Sequence, residues 1–289
     1  CASCHLQERA FTDGRRLPSG ITSVGHTHIR NAQHLTNAAY PARYNWASPN
    51  VKTLEDQSKG PLFQDGAPIV EMGLTDESSQ REALNRIRSA AEYADFLRNA
   101  FGTTEVSMDQ IRFALASFER TLISGNSAFD KYSNGSKEAL NAKAIEGMKL
   151  FYGERAECFH CHGGFNFTDT NFHSSTVFTE IFYHDNGNKS LEDYKAISAT
   201  ATIPTSSHFG LGAKTGLDSD IGKFRAPSLR NVALTYPYMH DGSISCDGFV
   251  DGSKWDEVCA RNALKKIVNH YAAGGYRADS NNSFGLQNS

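Results

Sequence analysis

The sequence is short of several things, and each shortage removes a class of protein. No run of apolar residues approaches the ~18 that a helix needs to cross a bilayer. There is no basic block or stripe, and 29 Lys and Arg against 32 Asp and Glu leave a net charge of −3, so nucleic acid is not an expected partner. Strand-like runs are few, which argues against a fold built on sheets. Tryptophan occurs twice, methionine four times and cysteine six times in 289 residues. With so few cysteines, their placement carries information.

Two of the six stand in the first four residues, followed at once by histidine: "CASCH" is Cys1, Cys4 and His5. A C-x-x-C pair serves half of a zinc site, a dithiol redox couple or, with histidine next, the covalent attachment of a c-type haem. Zinc would require a second pair at finger spacing, and a redox couple would require a strand before it and a helix after it. Instead the complete C-x-x-C-H pattern recurs as Cys158, Cys161 and His162. Two full copies that consume four of the six cysteines point to two haems. Both thiols of each motif add to one porphyrin, and the adjacent imidazole becomes the proximal ligand of its iron.

The last two cysteines, Cys246 and Cys259, lie in a Gly-, Asp- and Ser-rich stretch that reads as a loop. Haem attachment of this kind occurs outside the bacterial cytoplasm, where disulfides persist, so the pair is expected to be bridged and the protein periplasmic or extracellular. No secretory signal pattern opens the chain, and a start on a motif cysteine reads as a mature or trimmed form.

The length suits two domains of about 100–150 residues, one for each motif. Residues 1 to about 71 are rich in Gly, Pro and Asn and read as long loops around a cofactor. Helical periodicity follows in "SSQREALNRIRSAAEYADFLRNAF" and in "SMDQIRFALASFERTLIS", where Ser107 is placed as an N-cap and Gly125 lies past the end. A third helix, in "SKEALNAKAIEGMKLFYG", leads into the second motif. Residues 163–225 again read as loop. Near the end, "ARNALKKIVNHYAAGG" is a helix stopped by Gly274 and Gly275. The expected fold is mainly α, with two cytochrome c-like haem domains, 1–135 and 136–289, and long ordered loops.

Together with both haem motifs, the segments "RNAQHLTNAAY", "LEDQSKGPL", "VEMGLT", "FALASFERTLISGNSAFDKY", "GGFNFTDTNFH" and "GKFRAPSLRNVALTYPYMHDGS" resemble the bacterial dihaem cytochrome c peroxidases and their MauG relatives over nearly the whole chain. The stretch "NAAYPARYNWASPNVKTLEDQSKGPLF" is similar to the MbnH-like branch of methanobactin operons, whose enzymes oxidise a tryptophan of a copper-binding partner to kynurenine. In this family the N-terminal haem meets peroxide and the C-terminal haem stores or delivers electrons. The resemblance implies that the 1–135 domain is peroxidatic and the 136–289 domain an electron-transfer domain.

Residue roles follow from the match. Gln57, Pro61 and Glu71 fall on the distal positions of the peroxidatic pocket, with four extra residues between Pro61 and Glu71, and Glu71 is the implied acid and base. Trp46 falls where the family places an indole between the haems. Asn31, Thr235 and Pro237 match a Ca²⁺ site made of one amide side chain and two backbone carbonyls, donors suited to a hard cation. At the C-terminal haem the family's sixth-ligand position reads Tyr271, the MauG-like choice, with Met239 and His270 as competitors. At the N-terminal haem His26 and His28 are both candidates for a displaceable distal ligand, and His26, after Gly25, matches better.

The implied function is peroxide-dependent oxidation of a Trp or Tyr of a partner protein through a high-valent state shared by both haems. The alternative is a peroxidase that reduces peroxide with electrons from a small cytochrome or cupredoxin. Monomer and homodimer both remain open.

Overall fold

A computed structural model describes residues 1–18, 28–64, 71–171, 183–200 and 208–275. His26 lies outside these residues. Among them the chain is mostly helical, with α1 (Leu54–Gln57), α2 (Lys59–Phe63), α3 (Glu77–Ser89), α4 (Ala94–Phe101), α5 (Met108–Thr121), α6 (Ala128–Ser133), α7 (Ala142–Phe151), α8 (Leu191–Thr200), α9 (Gly212–Thr215) and α10 (Glu257–Ala272). Strands β1 (Tyr183–Asp185) and β2 (Lys223–Arg225) pair antiparallel, with Tyr183 opposite Arg225.

Local chemistry explains the helix ends. Ser107 caps α5 in a reciprocal box: its hydroxyl accepts from the Gln110 N–H, and the Gln110 side chain accepts from the Ser107 N–H. The helix closes at Leu122, three residues before the expected glycine. Asn141 caps α7 through Ala144 N–H. The periodic segment expected as one helix is instead α3 and α4, because the chain leaves helical geometry at Ala90 and passes through a 3₁₀ turn, Ala91–Tyr93. Gly274 and Gly275, both at φ 77°, end α10 by returning their N–H groups to Tyr271 and His270 carbonyls.

Two stretches read as loop contain helices. Thr53 accepts from Asp56 N–H and starts α1, and Pro61 is tolerated early in α2, where its missing N–H costs no helical bond. Ser190 and Asp193 cap each other at the start of α8. Cys259 likewise sits in the first turn of α10 rather than in a loop.

The apolar core is divided into small clusters. Tyr194, Ile221 and Phe224 form one, with Trp46 and Phe209 against it; Tyr236, Ala260 and Ala263 form another under α10. Between the halves runs a buried polar spine. The Asn37 amide donates to Ser124 O and Asn166 Oδ1, Asn166 donates to Asn171 Oδ1, and Thr168 donates to Ala226 O. Such groups are tolerated inside because nearly all of them are hydrogen-bonded, the Asn171 Nδ2 being the exception in this spine. Further ties cross the expected 135/136 boundary, including Arg230 with Asp130 and Asn31 with His240.

Candidate haem sites

In the first motif the N–H groups of Cys4 and His5 both donate to Cys1 O at 3.0 Å, a turn that brings the three side chains together. His5 Nδ1 lies 2.7 Å from Phe11 O. A carbonyl only accepts, so Nδ1 carries the proton and the lone pair of the neutral ring lies on Nε2. Ala10 and Phe11 adopt left-handed backbone, φ 51° and 66°, which turns the Phe11 carbonyl toward the ring. The second motif repeats the device. His162 Nδ1 donates to Phe167 O at 3.0 Å, and Phe167 is left-handed at φ 50°. Burial holds both imidazoles below their usual value, hence neutral, and in each case the carbonyl bond opposes it. A neutral ring with its proton on Nδ1 and its lone pair on Nε2 is the form that ligates a metal.

The N-terminal motif opens on a cavity of about 1220 Å³, lined by Cys1, Cys4, His5, Trp46, Gln57, Pro61 and Glu71, with His28 and Asn31 also on its wall. Its size exceeds the ~300–1000 Å³ of ordinary small-molecule pockets. The donor chemistry and the cavity both fit a haem held by Cys1, Cys4 and His5. All four residues expected on or beside the distal face share this space. Gln57 Nε2 donates to Asn45 Oδ1 at 3.4 Å, and the Met72 N–H donates to Pro61 O, tying the segment after Glu71 back to α2. Glu71 Oε1 lies 3.2 Å from His28 Nε2. His28 is therefore the partner of the proposed acid, a relation that sequence spacing did not reveal.

Trp46 bridges the two halves. Its indole N–H donates to Asn31 O at 2.9 Å, its own carbonyl accepts from Arg225 N–H, and its ring packs against the Tyr194 cluster. The Asn31 N–H donates to His240 O, which brings Asn31 beside the segment containing Thr235 and Pro237. Its amide Nδ2 donates to the carbonyls of Arg15 and Arg16, leaving Oδ1 without a hydrogen bond among the described residues. That free oxygen is the donor a cation would use.

Around the second motif, Asp169 accepts from His184 Nε2 at 2.5 Å. Burial lowers His184, but its hydrogen bonds to the Asp169 carboxylate and the Cys161 sulfur outweigh that and raise it above its usual value. The three competing sixth ligands converge on one residue, Asn186. Its amide donates to Met239 Sδ at 3.1 Å, and its carbonyl accepts from His270 Nε2 at 2.9 Å. Tyr271 retains 40% of its surface. Burial of its hydroxyl pushes the phenol up, Asn186 opposes that shift, and Cys158 and Cys161 are near enough to act on it.

Cys246 and Cys259 form a disulfide, as expected. Trp255, 40% exposed, donates from its indole to Ala233 O. Among the described residues no helix is long and apolar enough to cross a membrane.

Two built haem-attachment sites on a helical scaffold define a c-type dihaem oxidoreductase. Residues 1–138 match the family model described as di-haem cytochrome c peroxidase. A cytochrome-c peroxidase, IdrP1, from Pseudomonas sp. (strain SCT) is 30% identical over 95% of this chain and 67% of its own. The methylamine utilization protein MauG of Methylophilus methylotrophus is 30% identical over 97% of this chain and 68% of its own. A crystal structure of a MauG-like protein associated with microbial copper homeostasis superposes with a TM-score of 0.78 at 37% identity, covering 95% of this chain and 71% of that one. The chain belongs to the dihaem cytochrome c peroxidase and MauG family of peroxide-dependent oxidoreductases, and it spans about two thirds of the length of these relatives.

Proposed function

We propose that the chain is a MauG-like enzyme that draws oxidising equivalents from hydrogen peroxide at the N-terminal site and uses them to oxidise a Trp or Tyr of a partner protein. The observation that carries this reading is the single cavity in which His5, Gln57, Pro61, Glu71 and Trp46 meet. When bound, the haems supply the redox chemistry, accepting equivalents from peroxide and storing them. His5 and His162 would hold the two irons, their rings fixed by the bonds to the Phe11 and Phe167 carbonyls. Glu71 moves a proton from one peroxide oxygen to the other, so that cleavage expels water rather than hydroxide. Gln57, steadied by Asn45, orients the peroxide. Trp46, joined to both halves by its hydrogen bonds, relays electrons between the sites.

Tyr271 as sixth ligand distinguishes this reading from simple peroxide removal, because an anionic oxygen favours higher oxidation states and a thioether favours the reduced iron. The copper association of the 37% identical relative supports a copper-binding partner protein as substrate, with tryptophan converted to kynurenine. The Cys246–Cys259 bridge supports a periplasmic or extracellular setting. The division into domains 1–135 and 136–289, and Ca²⁺ on Asn31 Oδ1 with the Thr235 and Pro237 carbonyls, belong to the same proposal. His26 as a distal ligand lies outside the described residues, whereas His28 is occupied with Glu71.

The buried Met239 sulfur beside Asn186 favours a second reading, a peroxidase fed by a small cytochrome or cupredoxin. Tyr271→Phe separates the two. Under the MauG-like reading it changes the ferric spectrum of the C-terminal haem and abolishes oxidation of the partner residue. An unchanged spectrum removes Tyr271 as ligand and leaves the peroxidase.

A further inference from the structure

The loop that follows β1 is fixed on both sides. Asp185 Oδ1 accepts from Gly187 N–H at 3.0 Å, and Asn186 Oδ1 accepts from Asn188 N–H at 3.2 Å. The second bond sets the orientation of the Asn186 amide, since only the oxygen can receive an N–H, and it directs the NH₂ group outward. That group meets the Met239 sulfur.

Two further sets of contacts hold the loop between the competing ligands. On one side His270 Nε2 donates to Asn186 O, and Gly187 packs directly against Gly275; a Cβ on Gly187 would stand 3.1 Å from Gly275 Cα, and one on Gly275 only 2.9 Å from Gly187 Cα. Glycine at both positions is what lets the loop lie on the end of α10, next to Tyr271. On the other side Asn188 donates to Asp241 Oδ1 and accepts from Ser243 Oγ. Those residues belong to the turn closed by the Tyr238 and Ile244 bridge, which holds Met239 inward at a left-handed φ of 74°. Residues 185–188 therefore form a clasp whose centre, Asn186, stands between the Met239 thioether and the α10 end.

We propose that Asn186 is the positioning residue that selects Tyr271 over Met239 at the C-terminal haem: its amide holds the sulfur and also hydrogen-bonds the Tyr271 hydroxyl, supporting the phenol oxygen as a ligand while the thioether is restrained. The proposal rests on reading Tyr271 as the ligand. A strained backbone at Met239 and a sulfur held by an N–H donor are what a withheld ligand requires. Loss of the amide removes the restraint on the sulfur, while the backbone bond to His270 and the Gly187–Gly275 contact remain to hold the clasp.

The test uses the dihaem holoprotein and reads ligand identity by near-infrared magnetic circular dichroism, together with the reduction potential of the C-terminal haem. Asn186→Leu is expected to introduce the sulfur-ligand signature and shift the potential upward, and Asn186→Ala, which adds no bulk, is expected to do the same. In Asn186→Leu with Met239→Leu neither change should appear. Parent-like spectra and potential in both single variants, in a protein where Tyr271→Phe alters them, overturn the role of Asn186. If Tyr271→Phe itself leaves the spectrum unchanged, the ligand assignment fails and the selection proposal fails with it.

Discussion

Breaking one ion pair tests whether the two halves support each other's haem. Arg230 is only 3% exposed on its side chain and makes a two-pronged contact with Asp130 of α6, Nη1 to Oδ2 at 2.5 Å and Nη2 to Oδ1 at 2.8 Å. Its Nε donates to Phe165 O, and its guanidinium lies 5.1 Å over the Phe167 ring. Phe167 is the residue whose carbonyl orients His162. Asp130→Ala leaves the arginine charge buried without its partner, a defect that costs about 3–5 kcal/mol. With a urea dependence near ~3 kcal/mol per molar for a chain of this size, the unfolding midpoint should fall by about 1–2 M. Adding Arg230→Met should recover part of the loss, because an apolar replacement of both charges is far cheaper than an orphaned one.

The pH dependence of that loss has a definite sign. The Arg230 hydrogen bonds hold the Asp130 carboxyl well below the usual carboxylate range. A depressed acid contributes its stability above the unfolded value of about 3.9 and loses it as pH falls through the folded value. The gap between parent and variant should be constant from pH 5 to 8 and narrow below about pH 4. Urea titrations of the holoprotein at pH 7 and pH 3.5 measure both. A midpoint shift below about 0.3 M at pH 7, or a gap that widens in acid, refutes the reasoning.

Three other outcomes follow from the site. Glu71→Gln keeps the shape of the side chain but cannot carry the proton, and the rate of the first peroxide step in stopped flow should fall about 10²–10⁴-fold with haem content unchanged; an unaltered rate removes Glu71 as the acid and base. Trp46→Phe keeps the packing against the Tyr194 cluster but deletes the N–H bond to Asn31, and it should uncouple the two haems, seen as peroxide changing the N-terminal haem spectrum alone. Chelation of Ca²⁺ should lower the peroxide reaction rate, and Asn31→Ala should abolish the response to added Ca²⁺; an identical response in parent and variant argues against Asn31 as a ligand.

What was legible in the sequence is what short spacing determines. The C-x-x-C-H motifs, the Ser107 cap and the glycine stop after α10 depend on residues within a few positions of each other, and the chain realises each of them. The residues expected at the distal face were placed through family likeness, and the fold brings Gln57, Pro61, Glu71 and Trp46 to the lining of one cavity. What escaped depends on long-range geometry. His28 meets Glu71 across 43 positions, and Asn186 reaches Met239 and His270 across 53 and 84, so no local pattern marks either. The helix α8 escaped for a different reason: its sequence, "LEDYKAISAT", carries only a weak apolar stripe and stands in a Ser- and Thr-rich stretch that reads as loop.

The most direct test of the account adds hydrogen peroxide to the fully ferric dihaem protein and follows the absorption of both haems. The MauG-like reading predicts that both spectra change together and persist without prior reduction, and that Tyr271→Phe loses the persistent form. A protein that reacts only after its C-terminal haem has been reduced, and whose Tyr271→Phe variant behaves like the parent, contradicts it.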